Sequence, residues 1–275
     1  YNQKIIEEAP SCFVDDKLRK EMYAQSVRLA KEVGYFSAGT VEYIVDQSGV
    51  FYFLEMNTRL QVEHCVTELI TGVDLVEQMI NVANGKKLGF SQKDIKLNGW
   101  AIEGRICAED PARGFLPSSG RISNYVEPKA TENVRVDSGV YEGDEVSVYY
   151  DPMIAKLCSY AKNRKMAIDS LSQALSDYVI KGVSNNINFL QDVILSERFV
   201  SGNLTTGFIN EEYPSGYEVC EVLPEDYADV ICVAAIIRYL EAVQNSTING
   251  QIVDRRKEIN NRMAICIGGG IHVVE

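Results

Sequence analysis

Apolar positions recur at two spacings along this chain, and the spacing predicts the element. Asp15 and Asp16 carry carboxylates that can cap free helix amides. After them Leu18, Met22, Leu29 and Val33 fall on one face, predicting a helix that stops near Gly34. Thr40 to Val45 alternates like a strand, Asp46-Gln47-Ser48-Gly49 is turn chemistry, and Val50 to Leu54 returns as a second strand. That hairpin would put Glu42 and Glu55 on adjacent strands. Helices are expected over Val62 to Ile70 and Asp74 to Ala83, the second ended by Asn84-Gly85. Lys86 to Asn98 is polar and unpatterned, and a domain boundary is placed there.

Trp100 to Cys107 alternates as a strand, while Asp110 to Gly120, with Pro111, Gly114 and Pro117, reads as loop. Shorter strands are expected at Ile122 to Val126, Val134 to Asp137 and Ile154 to Tyr160. A helix over Lys165 to Tyr178 would align Ile168, Leu171, Leu175 and Tyr178, and another would cover Asn186 to Ser196. Strands with segregated helices predict an α+β class. Past Gly207 the character changes. Between Glu211 and Gly250 eight acidic residues face the single basic Arg238. A helix is expected from Leu223 to Gln244 with acids at its positive end. A linker from Asn245 to Gly250 and strands at Met263 to Ile267 and Ile271 to Val274 would follow.

A length of 275 residues allows one large domain or two to three smaller ones. Hydrophobic residues make up 46% and charged residues 24%, a soluble globular balance. No apolar run reaches the roughly 18 residues of a membrane span, and Tyr1-Asn2-Gln3-Lys4 does not open a signal peptide. The net charge of -12 disfavours nucleic acid as a partner. Seven widely spaced Cys without a CxxC suggest reduced thiols rather than zinc or redox pairs.

Candidate chemistry concentrates in Glu55-Met56-Asn57-Thr58-Arg59-Leu60-Gln61-Val62-Glu63-His64. Magnesium takes about six oxygen ligands and keeps waters and phosphates among them, so one or two carboxylates suffice. Glu42 and Glu55, with the Asn57 amide oxygen nearby, meet that need. Alternatively, both are outward residues of a hairpin. Arg59 offers a planar donor fork suited to an oxyanion such as bicarbonate. Glu63, four residues on, could take its proton. The bland alternative is an Arg59–Glu63 helix salt bridge. His64 reads as a structural histidine.

Several long stretches resemble biotin carboxylase. They are Lys4-Ile5-Ile6-Glu7-Glu8-Ala9-Pro10, Phe53 to His64, Glu103 to Pro111, Phe115 to Ser118, Val134 to Ser138 and Tyr149 to Leu157. They fall in the family's order, and Asn186 to Gly216 is most similar to propionyl-CoA carboxylase α subunits. The resemblance implies the C-terminal half of an ATP-grasp domain over residues 1–95. It implies the biotin carboxylase C-terminal domain over 96–213, then over 214–275 a helical linker and the start of a β domain meeting a carboxyltransferase β subunit. The N-terminal domain and glycine-rich lid of the family would be missing, which makes an inactive fragment the expectation.

The implied reaction is carboxylation of biotin with ATP and bicarbonate through carboxyphosphate, the first half-reaction of an acyl-CoA carboxylase. By motif position, Glu42, Glu55 and Asn57 would hold Mg2+ or Mn2+. Arg59, Gln61 and the Val62 amide would hold bicarbonate, and Glu63 would deprotonate it. Arg135 would stabilise the biotin enolate, Lys4 would contact phosphate, Ile44 would line the adenine pocket, and Leu54 joins the cofactor-binding positions. Implied partners are a biotin carboxyl carrier domain, the carboxyltransferase β subunit and a second copy of the biotin carboxylase region. The implied compartment is bacterial cytoplasm or the mitochondrial matrix. Cys65 departs from the family, which commonly has Pro there. Two competing readings are another ATP-grasp ligase, such as a carbamoyl-phosphate synthetase, and a non-catalytic dimerisation or docking module.

Overall fold

Alternation in three apolar strands builds the centre of the larger of two units, Tyr1–Glu218 and Val219–Glu275. The structure, a computed structural model, describes residues 4–218, 226–246, 262–267 and 270–274. The longer strands and helices of the larger unit, besides several short ones, are β1 (Ile6–Ala9), α1 (Asp16–Glu32), β2 (Thr40–Val45), β3 (Phe51–Asn57), α2 (His64–Thr71), α3 (Leu75–Ala83), β4 (Trp100–Cys107), β5 (Val134–Ser138), β6 (Met153–Ala161), α4 (Arg164–Asp177) and α5 (Ile187–Leu195). The class is α+β, as the pattern predicts.

An antiparallel sheet in the order β1-β4-β6-β5 is the platform. Register decides what each face carries, because side chains alternate between faces. Ile102, Gly104 and Ile106 of β4 and Leu157 of β6 face α4 and α5. There, with Leu171, Leu175, Phe189 and Leu190, they form a fully buried core. Each buried Ile, Leu or Phe side chain here contributes about 1.5–3 kcal/mol by leaving water. Buried Asn186 ties α5 to β4: its Oδ1 accepts from Cys107 N (2.8 Å) and its Nδ2 donates to Arg105 O (2.9 Å).

The opposite face is polar. Glu7 pairs with Glu103, Arg105 with Lys156, Glu103 with Cys158, Arg135 with Cys158, and Asp137 with Lys156. Directly opposite partners share a face, so this charged set lies together beneath α2. An apolar anchor fixes α2 there: Val66 and Ile70 pack on Ala101, flanked by Leu69 and Tyr160.

The helix ends follow local chemistry. Asp15 accepts from Leu18 N (2.7 Å), Asp74 from Glu77 N (2.8 Å) and Asn163 from Met166 N (3.0 Å). Such caps contribute about 1 kcal/mol each.

Several expectations are adjusted. β3 runs on through Asn57 instead of ending at Leu54, so Glu55 and Asn57 are strand residues. α2 begins at His64, because Gln61 to Glu63 are held in a turn instead of a helix. The face of α1 predicted to be apolar is only half-buried, and Val33 is exposed. The Asp110 to Gly120 loop contains a short ladder, Glu109–Asp110 with Leu116–Pro117. β1 is an edge strand that the pattern did not announce. In the smaller unit, α6 (Tyr227–Ser246) stands beside a hairpin of β7 (Met263–Ile267) and β8 (Gly270–Val274). The expected helix opening at Leu223 to Glu225, and most of the linker, lie outside the described residues.

Candidate active site

The β2–β3 hairpin is set by Asp46, whose Oδ1 accepts from Ser48 N (2.9 Å), Ser48 Oγ (2.6 Å) and Val50 N (3.0 Å). This local turn fixes the pairing at the far end, where Glu42 lies opposite Glu55 and Thr40 opposite Asn57. A bulge between Glu42 and Tyr43 leaves Leu54 without a partner across the ladder. Bulges re-aim side chains. Here the result is two carboxylates and an amide at one end of the hairpin.

These groups join one network. Asn57 Nδ2 donates to Glu42 Oε1 (3.0 Å) and Glu55 Oε1 (2.9 Å), bridging two like charges. Gln61 Nε2 (2.7 Å) and Lys4 Nζ (3.1 Å) donate to the same Glu42 oxygen. The Gln61 hydrogen bond, then Lys4, holds the Glu42 carboxyl below the usual range. Burial works against the Lys4 ammonium, but Glu42 and Glu63 outweigh it and hold its pKa above the ordinary value.

Lys4 also reaches Glu63 Oε1 (3.4 Å), and Arg105 NH2 donates to Glu63 Oε2 (2.9 Å). Two cations therefore face the Glu63 carboxylate. Arg105 lies 3.8 Å from Glu7, whose carboxyl is pushed up to about 7 by burial and by repulsion from Glu63.

The loop bearing these groups is pinned from below. Lys156 Nζ donates to Val62 O (3.1 Å), and Gln61 O meets His64 Nδ1 (2.9 Å). Beside it lies a second cluster. Arg135 grips both Asp137 oxygens (2.8 Å each) and donates to Glu68 Oε2 (2.7 Å). Burial opposes the Asp137 charge, but Arg135, Cys65 and Lys156 outweigh it and hold the pKa at about 2.

The structure brings Lys4, Glu42, Glu55, Asn57, Gln61 and Glu63 together. Arg59 is close enough to act on Glu42, yet among the described residues it forms no ion pair, and its NH1 reaches only Leu60 O (3.3 Å). The Arg59–Glu63 salt bridge is absent, since Glu63 is taken by Arg105 and Lys4. Arg135 stands in the neighbouring cluster. Ile44 and Leu54 are exposed on the hairpin. His64 is held between Gln61 O and Glu68, as a structural histidine would be.

Sequence reasoning missed the roles of Arg105, Lys156, Glu68 and Asp137. The available signal was a charge placed in otherwise apolar strands, as in Ile102-Glu103-Gly104-Arg105-Ile106.

The donor set suits a hard divalent ion. Two carboxylates approach on paired strands, and Asn57 supplies an amide oxygen once its terminal group turns over.

Comparison with known proteins places these groups in context. Residues 103–211 match the biotin carboxylase C-terminal domain. Residues 1–91 match the carbamoyl-phosphate synthase L chain ATP binding domain. The propionyl-CoA carboxylase alpha chain of Ruegeria pomeroyi is 48% identical over 287 residues, covering 98% of this chain and 42% of that protein. The mitochondrial alpha chain of Homo sapiens is 54% identical, covering 79% of this chain and 30% of its own length. This chain thus spans about two fifths or less of these relatives. Among solved structures, the Hydrogenobacter thermophilus 2-oxoglutarate carboxylase biotin carboxylase domain dimer, in complex with MgADP, ADP and bicarbonate, has a TM-score of 0.75. It is 45% identical and covers 77% of this chain and 46% of its own. The biotin carboxylase subunit of a pyruvate carboxylase also scores 0.75, at 43% identity, covering 79% of this chain and 48% of its own.

Proposed function

From a chain that belongs to the biotin carboxylase family, we infer a share in one reaction: ATP- and bicarbonate-dependent carboxylation of biotin, the first half-reaction of an acyl-CoA carboxylase. The observation that carries this reading is the placement of Glu63. Its carboxylate lies between Lys4 and Arg105, and Lys4 links it to the Glu42, Gln61, Asn57 and Glu55 network.

Each group has a role in that reading. Glu42 and Glu55, with the oxygen of Asn57, hold Mg2+ or Mn2+. When bound, the ion neutralises phosphate charge on ATP. Lys4 reaches the phosphate end of the nucleotide, and Ile44 and Leu54 offer apolar surface to its base. Arg59, Gln61 and the Val62 amide hold bicarbonate, and Glu63 accepts its proton.

Negative charge develops at the carboxylated centre, and a fixed cation there lowers the barrier. The resemblance gave that role to Arg135. The geometry favours Arg105, which lies against the base, whereas Arg135 is engaged with Asp137 and Glu68. We therefore assign charge stabilisation to Arg105. Arg135 is then a positioning residue for α2.

The sequence similarity to alpha chains favours propionyl-CoA as the final acceptor, with a carrier domain and a carboxyltransferase β subunit as partners. A dimer through this region fits the dimeric neighbour. The residue ranges 1–95, 96–213 and 214–275 remain our domain assignment. The bacterial and mitochondrial sources of the relatives support bacterial cytoplasm or the mitochondrial matrix as the compartment. Among the described residues no helix is long and apolar enough to cross a membrane.

The test is fixation of labelled bicarbonate onto free biotin by the full-length protein that contains this chain. The expected result is fixation that needs ATP and magnesium. ATP turnover that ignores biotin, with carbamoyl phosphate formed from ammonia, would instead support the second ligase reading.

A further inference from the structure

Cys65 is the one departure that the proposed function does not absorb. It sits in the first turn of α2, fully buried, and faces Cys158 of β6 and Glu103 of β4, both also fully buried. Both sulfurs and a Glu103 oxygen lie within 4.8 Å of one another. Cys158 Sγ is 3.6 Å from Glu103 Oε2, and Glu103 Oε1 is buried with no hydrogen-bond partner. An orphaned buried carboxylate oxygen is costly, on the order of 1–3 kcal/mol or more. It demands a partner that the surrounding side chains do not supply.

We propose that Cys65, Cys158 and Glu103 form a second metal site, for a borderline-soft divalent cation such as Zn2+. Two thiolates and a carboxylate are zinc ligands. Soft sulfur selects against magnesium, while the all-oxygen pair Glu42 and Glu55 selects for it, so one small region would sort two ions by donor chemistry.

With Glu103 ionised, one divalent ion enters and two thiol protons leave to solvent, so net charge is unchanged; from the neutral acid the Glu103 proton leaves as well. Lys156 Nζ, 2.9 Å from Cys65 Sγ, supplies an N–H donor to the thiolate and offsets the Glu103 charge. Asp137 loses the Cys65 thiol as a donor, but keeps Arg135 (2.8 Å) and Lys156 (3.3 Å).

Zinc–sulfur bonds of about 2.3 Å put tetrahedral sulfurs about 3.8 Å apart, so the two sulfurs would close by at most about 1 Å. The neighbouring triple His64, Cys65 and Glu68 fits less well. Glu68 already accepts from Leu75 N (2.8 Å) and Arg135 (2.7 Å). An ion at the chosen site would staple α2, which starts one residue after Glu63, to two strands of the sheet.

Cobalt titration of chelator-stripped, full-length protein tests this without any assay of activity. Thiolate-to-cobalt charge transfer should rise to one equivalent per chain. It should persist in excess magnesium and be displaced by zinc. Cys65→Pro, which a first helical turn tolerates, and Cys158→Val should each abolish the band. Glu103→Gln should weaken cobalt at least tenfold. Circular dichroism confirms that each variant folds, and Cys65→Ser replaces Cys65→Pro if the latter does not. Absence of the band in folded wild-type protein, or its survival in either folded cysteine variant, would overturn the site.

Discussion

Replacing Glu103 with Gln should make stability less sensitive to pH between about 4.5 and 7. The side chain is fully buried, and burial pushes its carboxyl from 4.5 up to about 7, against the pull of Lys156 and Arg105. Between those values the folded state keeps a proton that the unfolded state has released. Unfolding free energy therefore falls as pH rises through this window, by about 1.4 kcal/mol per pH step, and levels off above 7. Across the span of about 2.5 this is about 3 kcal/mol, an upper bound for one group. Glu7, also pushed up to about 7, adds a like slope of its own. The Gln variant should lose one share and keep the other. Urea midpoints between pH 4.5 and 8, taken in chelator to keep metals out, measure this. A Gln amide leaves its own N–H groups short of acceptors, which lowers stability at every pH but does not alter the slope. Parallel curves for wild type and variant would refute the reasoning.

Arg135→Met should cost about 1–2 kcal/mol at neutral pH. The Asp137 carboxyl is held at about 2 against 3.8, so its stabilisation is full above about 3.8 and lost as pH falls through about 2. The variant's deficit should therefore shrink in acid, as read from urea midpoints. Gly182→Ala should cost more than about 2 kcal/mol, since at φ +103° the added Cβ would lie 2.1 Å from Arg121 O. A thermal melt within a degree of wild type would contradict that. Lys156→Met frees the Val62 carbonyl and should raise KM for bicarbonate more than it lowers kcat, in steady-state assays of full-length protein.

The hairpin was readable because its turn is local. Asp46 to Gly49 announce the reversal, and the alternation then puts Glu42 opposite Glu55. β4 was readable end to end for the same reason. Its flanks are polar, and its interior alternates.

β1 was hidden by Glu7 and Glu8, which break the apolar pattern and are tolerated at a sheet edge. The Arg105–Glu63 and Lys156–Val62 contacts join residues more than forty and ninety positions apart, counted inclusively. They depend on strand register and on how α2 docks, and no local pattern encodes either. Arg135 shows the same limit. The resemblance gave it a catalytic role, and only three-dimensional packing reveals the two carboxylates that hold it.

The central claim is that Glu63 takes the proton from bicarbonate while Glu42 and Glu55 hold the metal nucleotide. The direct measurement is biotin carboxylation by full-length Glu63→Gln enzyme, with nucleotide affinity measured alongside. Loss of a general base predicts a fall in carboxylation of about 10²–10⁴-fold with magnesium-nucleotide affinity largely intact. Normal turnover in this variant would contradict the account.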